Sequence, residues 1–540
     1  MKKDLFSAIT GRWKQNLPKV KSNFHPAVPA FSLVTFLGIA VAISGCEAID
    51  DFLDRLPDDV KDYPLVQVQQ GYKIEKVVGN LSFPTSLAWD ADGKMYVVEA
   101  GGGFLPEPSP ARILRVESGK TTEVVNLTAK GVVAPVVGFT HHKGSFYITH
   151  RAEDLTGSVS RVAHDGGSVT QILGGFIDSQ AEHPLNDIKA GPDGKMYLAT
   201  GPAGNSGVVG PDLAPFVTRS PNVHTTAAQD IVLLGKNFKD ADFRTKDNMS
   251  DSVLTGAYVP FGTSTKPGQV IKGTNKPGGA ILSFDPGNAE GTLETVAWGL
   301  RNVIGLAWNP VTGDMYTAVN GYDIRGSRPV RDQLDPTYKV VKGTWYGFPD
   351  YSSGLEPLTM GKFEVEDNLQ APVYIDGKFQ GKDLGFVIDH AASGLKAPDP
   401  ALVVGKHPFH SSPSLLDVAP ASWKDFAGQL FIAEWGDLTP PTDPTDLRPV
   451  GYRIVRVDPQ TKQLAAFVSN RQPGPASMQG KVGEGLERPF DVKFGPDGAM
   501  YIVDYGVVKI NPLRQGREPY EYVPNTGVIW KVSKSAVSSK

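Results

Sequence analysis

PTSLAWDADGKMYVVEA (84–100), PLNDIKAGPDGKMYLATG (184–201) and PFDVKFGPDGAMYIVDYG (489–506) decide the fold. Each is an apolar strand, an Asp-Gly turn and a second apolar strand carrying an aromatic. The Asp-Gly pair supplies the positive φ of a tight hairpin, and alternating apolar residues on both sides bury one face. Variants of the phrase occur at PVVGFTHHKGSFYITH (135–150), NVIGLAWNPVTGDMYTAVNG (302–321) and the looser PSLLDVAPASWKDFAGQLFIAEWG (413–436), making six copies.

A second phrase follows most copies: ARILRVE (111–117), GSVSRVAHDGG (157–167), GAILSFDPGN (279–288), GYRIVRVDP (451–459) and GVIWKVS (527–533). It reads as a third strand, with Arg or Lys outward and Ile or Val inward. A unit of about 50 residues or more, built of several strands and repeated six times, predicts an all-β, six-bladed β-propeller with long loop insertions. A strand near Tyr72–Val78 and the last strand near Val528–Val532 are expected to share one blade and close the ring. Residues 201–277 and 350–405, rich in turn formers, read as elaborations on the propeller that carry function or cover a site.

Ahead of the repeats lies a basic leader (Lys2, Lys3, Arg12, Lys14, Lys19, Lys21), then a charge-free apolar run over 27–45 that ends in Ile43-Ser44-Gly45-Cys46. This is the form of an export signal, and the chain's single cysteine stands where a bacterial lipoprotein signal places its acylated residue. The expected organisation is a signal over 1–46 ending at lipidated Cys46, a linker over 47–70, the propeller over 71–534 and a tail over 535–540. The expected location is outside the cytoplasm, on the periplasmic or cell-surface side of a membrane. A net charge of −4 gives no sign of nucleic-acid binding. Without further cysteine there is no disulfide or thiolate metal site. No GxGxxG opening a helix, P-loop, GxSxG or HExxH occurs, so nicotinamide, nucleotide, serine-hydrolase and zinc-protease chemistry lack support.

Aligned on their turns, the copies make Ser82, His183 and Arg301 equivalent, and, one residue later, Phe83, Asn302 and Arg488. Blades are radial, so equivalent positions ring one end of the channel. Arginines at such a mouth suit a carboxylate anion, and a histidine beside it could act as a general base.

At this point the sequence resembles the glucose/sorbosone dehydrogenase family of secreted propellers that use pyrroloquinoline quinone (PQQ). The resemblance rests on WGLRNVIGLAW (298–308), on VNGYDIRGSRPVRDQLDPTYKVVKGTWYGFPDY (319–351), similar to the sorbosone-type branch, on HPFHSSPSLLDV (407–418) and FAGQLFIAEWGD (426–437), and on RPFDVKFGPDGAMYIVD (488–504). It spans roughly 72–534 and implies PQQ- and Ca²⁺-dependent oxidation of an aldose or related sugar, with hydride passing to the quinone and on to an electron acceptor. His183 would be the catalytic base, Arg301, Asn302 and Arg488 would contact PQQ, and Gly321 and Tyr322 would hold Ca²⁺ through their backbone carbonyls, with the side chains of Asp323 and Asn320 nearby.

The sequence also departs from that pattern. Pro184-Leu185-Asn186-Asp187 follow His183 where the glucose-oxidising branch has Gly-Arg, Phe490 replaces a second arginine, and Glu434-Trp435 occupy the region of a cofactor lysine. Each departure removes positive charge opposite a tricarboxylate. His141-His142 read as a solvated turn, and His407 and His410 lie in a loop from which His410 reaches the mouth through the resemblance. The alternative is a non-catalytic propeller lipoprotein that binds a glycan or a protein partner. It predicts arginines paired with internal carboxylates, or a mouth covered by 201–277 or 350–405. A Ca²⁺-dependent lactonase would need several side-chain oxygens on one metal, and only Asp323 and Asn320 stand out.

Overall fold

The computed structural model describes residues 63–245, 250–331 and 333–535. The leader, Cys46 and most of the expected linker and tail lie outside the described residues. Those described belong to one compact unit, Asp58–Lys540.

Six antiparallel sheets follow the six sequence copies. Each runs from an inner strand outward: Pro84–Trp89 to Lys120–Asn126, Phe139–His142 to Val169–Phe176, Leu185–Ala190 to Glu294–Trp298, Asn302–Trp308 to Val403–His407, Pro413–Val418 to Leu464–Asn470, and Pro489–Phe494 to Tyr72–Leu81. We number these blades 1 to 6. Consecutive inner strands touch all the way round, and the inner strand of blade 6 touches that of blade 1, so the ring is closed. Tyr72–Leu81 pairs antiparallel with Gly527–Lys534, so blade 6 joins the two ends of the described chain as the sequence predicts. The stretch read as linker contributes more than expected. Val66–Val68 adds a fifth strand to blade 5 by pairing with Leu464–Asn470. Three residues are too few for alternation to betray them.

Both insertions also carry strands. Asn237–Ala241 and Ser252–Gly256 from the first join Val373–Ile375 and Lys378–Gly381 from the second in one accessory sheet, with Asn237 opposite Tyr374. Buried Arg328 fastens them, donating to the Ser206 and Leu384 carbonyls and to the Asp350 carboxylate.

The pairing register reproduces the alignment of the copies. Pro84, Leu185, Val303, Pro413 and Pro489 stand opposite Glu99, Thr200, Val319, Glu434 and Asp504. Counting back two residues gives Ser82, His183 and Arg301, and counting back one gives Phe83, Asn302 and Arg488. Buried carboxylates fix these loops: Glu99 accepts from the Ser82 N–H at 2.7 Å, and Asp504 from the N–H groups of Glu487 and Arg488, both at 2.8 Å. Aspartates also stitch neighbouring inner strands. Asp187 of blade 3 accepts from Leu306 N–H at 3.0 Å, Asp417 of blade 5 from Phe494 N–H at 3.0 Å, and Asp491 of blade 6 from Leu87 N–H at 3.3 Å. Apolar clusters fill the spaces between blades, such as Tyr72, Trp423, Phe431, Phe467 and Trp530 between blades 5 and 6.

Asp491 also accepts from the Ser86 hydroxyl at 2.8 Å, both out of solvent, and pairs with the partly buried Lys493 at 3.2 Å. Asp491→Ala would leave two donors and a cation without their partner. It is expected to lower unfolding stability by about 3 kcal/mol in chemical denaturation. An unchanged midpoint would contradict a role for this carboxylate in closing the ring.

Candidate functional site at the channel mouth

The residue just inside each inner-strand start faces a common space. Thr85, Asn186, Ile304, Ser414 and Phe490 line one cavity of about 390 Å³, joined by Val137 of blade 2. Above this floor stand His183, Arg301 and Asn302, and loops after several second strands complete the wall. The first insertion reaches over the mouth and contributes Asp212, Pro215 and Phe216.

His183 is positioned by a hydrogen bond of 2.7 Å between Nδ1 and the Pro202 carbonyl. A carbonyl only accepts, so the proton of the neutral ring sits on Nδ1 and Nε2 carries the lone pair. Burial, reinforced by Arg301 and Arg325 and opposed by Glu182, pushes the His183 pKa down to about 4. Glu182 Oε1 lies 3.3 Å from Nε2. Burial pushes this carboxyl up, but Arg325 and other neighbouring positive charges outweigh it and hold it below the usual range. With the ring neutral, the contact is two acceptors side by side, open to a donor from a ligand.

Arg301 is spent within the protein. Nε donates to the Asn205 carbonyl, one terminal nitrogen to the Asn320 carbonyl, and the other to Asn205 Oδ1, each at 3.0 Å. The last nitrogen also pairs with Asp323 Oδ2 at 2.9 Å. The same Oδ2 accepts from Arg325 Nε at 3.0 Å, while Arg325 also pairs with Glu182 at 2.6 Å and Asp212 at 2.5 Å. Asp323 Oδ1 lies 3.5 Å from His410 Nδ1, and His410 Nε2 lies 3.3 Å from Asp443. Burial alone would raise Asp323, but the two guanidinium groups hold it far below the carboxylate range. Burial disfavours the His410 cation, yet its bond to Asp323 and the charges of Asp323, Asp335 and Asp443 lift its pKa to about 9.

The sequence-derived residues thus divide. His183, Arg301, Asn302, Gly321 and Asp323 line the cavity, and so does His410. Asn302 is held in an amide relay, accepting from Asn186 Nδ2 at 3.0 Å and donating to Asn320 Oδ1 at 3.2 Å. Arg488, expected to face a cofactor, is not among the lining residues. Its guanidinium donates to the carbonyls of Gly436 at 3.2 Å and Asp437 at 3.0 Å, and lies 4.2 Å over Trp435 and 5.0 Å over Tyr452. Gly436 makes that turn feasible: its φ is +99°, and a Cβ there would meet the Tyr452 ring at 2.6 Å. Tyr322, expected to offer its backbone carbonyl to a metal, packs its ring on Phe348 in a buried cluster and donates its hydroxyl to the Tyr351 carbonyl at 2.8 Å, neither of which involves that carbonyl. His407, between Glu434 and Thr337 at 2.8 Å each, is structural.

Sequence reasoning missed Arg325, Glu182, Asp212 and Glu518. Arg325 lies inside the 319–351 stretch and Glu182 adjoins His183, so both were within reach. Asp212 and Glu518 sit in loops without any repeat signal.

Neither implied cofactor fits these residues as they stand. A tricarboxylate needs donors free to meet it, but four of the five N–H groups of Arg301 end on protein acceptors. The lining holds Glu182, Asp212, Asp323, Asp335 and Glu518 against Arg301, Arg325 and His410, so there is no surplus of positive charge. Calcium at 321–323 would have to displace two guanidinium groups from Asp323, and the Asp323 carbonyl already accepts from Asn205 Nδ2 at 2.9 Å. Among the described residues, no three His, Cys, Asp or Glu side chains converge as a metal centre.

The chain matches no protein-family model and no curated protein sequence. Solved structures of similar fold include the PQQ-bound form of an aldose sugar dehydrogenase from Streptomyces coelicolor, with 16% identity, 86% of this chain and 99% of that one covered, and a TM-score of 0.45. The soluble aldose sugar dehydrogenase of Escherichia coli, in its apo form, gives 14% identity, 86% and 100% coverage, and a TM-score of 0.47. A calcium structure of a Trichoderma reesei carbohydrate-active enzyme of family AA12 gives 14%, 88% and 98%, and 0.48. The likeness to sugar dehydrogenase propellers is one of fold at low identity.

The two histidines differ in a way that NMR titration reads. His183 is expected to stay neutral from pH 8 to about 5, protonated on Nδ1, whereas His410 stays charged until pH rises through about 9. Because the folded His410 pKa exceeds its unfolded value near 6.5, its contribution to stability is full below that value and is lost as pH rises through 9. Asp323→Asn is expected to bring the His410 pKa down by more than a unit. Ordinary titration near 6.5 by both rings would contradict the charge network.

Proposed function

We propose that the chain binds a neutral, hydroxyl-rich ligand of sugar size in the channel-mouth cavity, as an exported propeller. The observation that carries this reading is the internal pairing of the cavity's guanidinium groups. Acceptors, by contrast, are plentiful: His183 Nε2 and Glu182 Oε1 lie side by side, with Asp212 beyond Arg325. Phe104, Phe216, Trp435, Phe490 and Tyr520 give flat apolar faces to the same space. Aromatic faces with a few convergent acceptors suit the C–H faces and hydroxyls of a sugar ring.

Oxidation of a bound aldose, with His183 as base, is the second reading. One observation favours it: a neutral ring whose Nε2 lone pair is not used by the Pro202 carbonyl is ready to take a proton. That reading requires a quinone whose carboxylates would have to draw Arg301 from Asp323, and a calcium ion for which no side-chain set converges.

Export and acylation at Cys46 complete the proposal, supported by the basic leader, the apolar run and the position of the single cysteine. Among the described residues no helix is long and apolar enough to cross a membrane.

Calorimetric titration of the purified chain separates the two readings. The first expects saturable binding of a member of a panel of D-glucose, D-galactose, D-mannose and D-xylose, with no uptake of micromolar PQQ in the presence of Ca²⁺. Stoichiometric PQQ binding, lost in Arg301→Ala, would establish the second reading and overturn the first. For the anchor, palmitate label and partition into detergent are expected for the wild type and not for Cys46→Ser. Equal partition of the two would contradict acylation at this residue.

A further inference from the structure

Three polar groups around the cavity have no hydrogen-bond partner in the protein. Both carboxyl oxygens of Glu518, the indole Nε1 of Trp435 and the hydroxyl of Thr442 are enclosed and unmatched. All three residues line the cavity. Glu518 is 3% exposed, and its nearest cations, Arg514 and Arg517, stand 3.9 and 3.8 Å away, beyond hydrogen-bond reach. Burial raises its pKa despite those arginines. Enclosed polar groups without partners are rare in native proteins, because each costs roughly 1–3 kcal/mol in lost hydration. Three around one cavity call for a ligand that supplies the missing bonds.

Glu518 belongs to the loop between the second and third strands of blade 6, and Trp435 and Thr442 follow the second strand of blade 5. His183 and Glu182 precede the inner strand of blade 3. The loops that carry them come back towards that pair: the Gly516 carbonyl, two residues before Glu518, accepts from Arg219 of the first insertion at 2.9 Å, and the Thr442 carbonyl accepts from the Ile324 N–H at 3.0 Å, between Asp323 and Arg325. Phe490 and Tyr520 lie on the blade 6 side, next to the unmatched set.

We propose that Glu518, Thr442 and Trp435 form a second polar subsite that orients the ligand by bonds additional to those of His183 and Glu182. This rests on the sugar-binding reading above. The indole N–H donates, the Thr442 hydroxyl donates or accepts, and Glu518 accepts from a hydroxyl. The set therefore selects a ring whose hydroxyls both donate and accept, with further hydroxyl donors turned towards His183 and Glu182.

The test titrates Glu518→Gln, Thr442→Val and Trp435→Phe with whichever monosaccharide of the panel binds the wild-type chain best, together with its single-deoxy analogues. Each variant is expected to lose about fivefold to tenfold in affinity, the worth of one buried hydrogen bond. For Thr442→Val and Trp435→Phe, which remove the bonding group outright, one deoxy analogue is expected to bind the wild type weakly and the variant no more weakly, since both lack the same bond. Thermal melting of each variant registers any loss of fold separately, and Thr442→Val, nearly isosteric, keeps the test open if Glu518→Gln unfolds. Wild-type sugar binding left unchanged in all three folded variants would overturn the subsite and leave the cavity reading intact. No sugar binding by the wild type would overturn the reading on which the subsite rests.

Discussion

The Asp323 carboxylate, shared between two buried guanidinium groups and faced by a charged imidazole, sets the character of the channel mouth. Arg301 comes from the start of blade 4, and Arg325 and Asp323 from the long loop that follows its second strand. Arg325 then reaches Glu182 of blade 3 and Asp212 of the first insertion. One ionic knot therefore joins two blades and the cover over the mouth. Breaking such a pair on one side strands a buried charge and typically costs about 3–5 kcal/mol, so the cations are not free to be redirected cheaply. The positive charge that sequence alone assigns to an anionic ligand is used to hold the mouth together.

That knot needs a scaffold that brings distant residues to the same depth. The propeller supplies it through a common register: a buried side chain opposite each inner-strand start, glutamate or aspartate in three blades, and aspartates reaching across the seams to the next strand's N–H. Strand starts then stand at equal height, and whichever residues occupy them meet around one opening. The chemistry of the mouth can vary while the ring beneath it stays fixed.

Most of the fold is legible in the sequence for this reason. Asp-Gly turns mark three of the six repeat hairpins, and the aromatic in each second strand fixes the register closely enough to place Ser82, His183 and Arg301 at one level. Closure by Tyr72–Leu81 is legible from the strand left over at each end of the repeats. The accessory sheet is not, because its strands run from three to five residues and find partners in another insertion. Position is legible where direction is not. Arg488 stands at the expected level, yet the Gly436 turn and the rings of Trp435 and Tyr452 draw its long side chain away from the cavity. The charge balance depends on Arg325, Asp212 and Glu518, whose loops carry no repeat, and Glu182 and Asp212, which Arg325 pairs with, are distant from it in sequence.

Crystals soaked in parallel with a binding monosaccharide and with PQQ plus Ca²⁺ test the central claim most directly. The account predicts a sugar ring against the aromatic wall, hydroxyls within reach of His183 Nε2, and the Arg301–Asp323 pair intact in both soaks. Arg301 turned from Asp323 onto a quinone carboxylate, with calcium bound at 321–323, would contradict it.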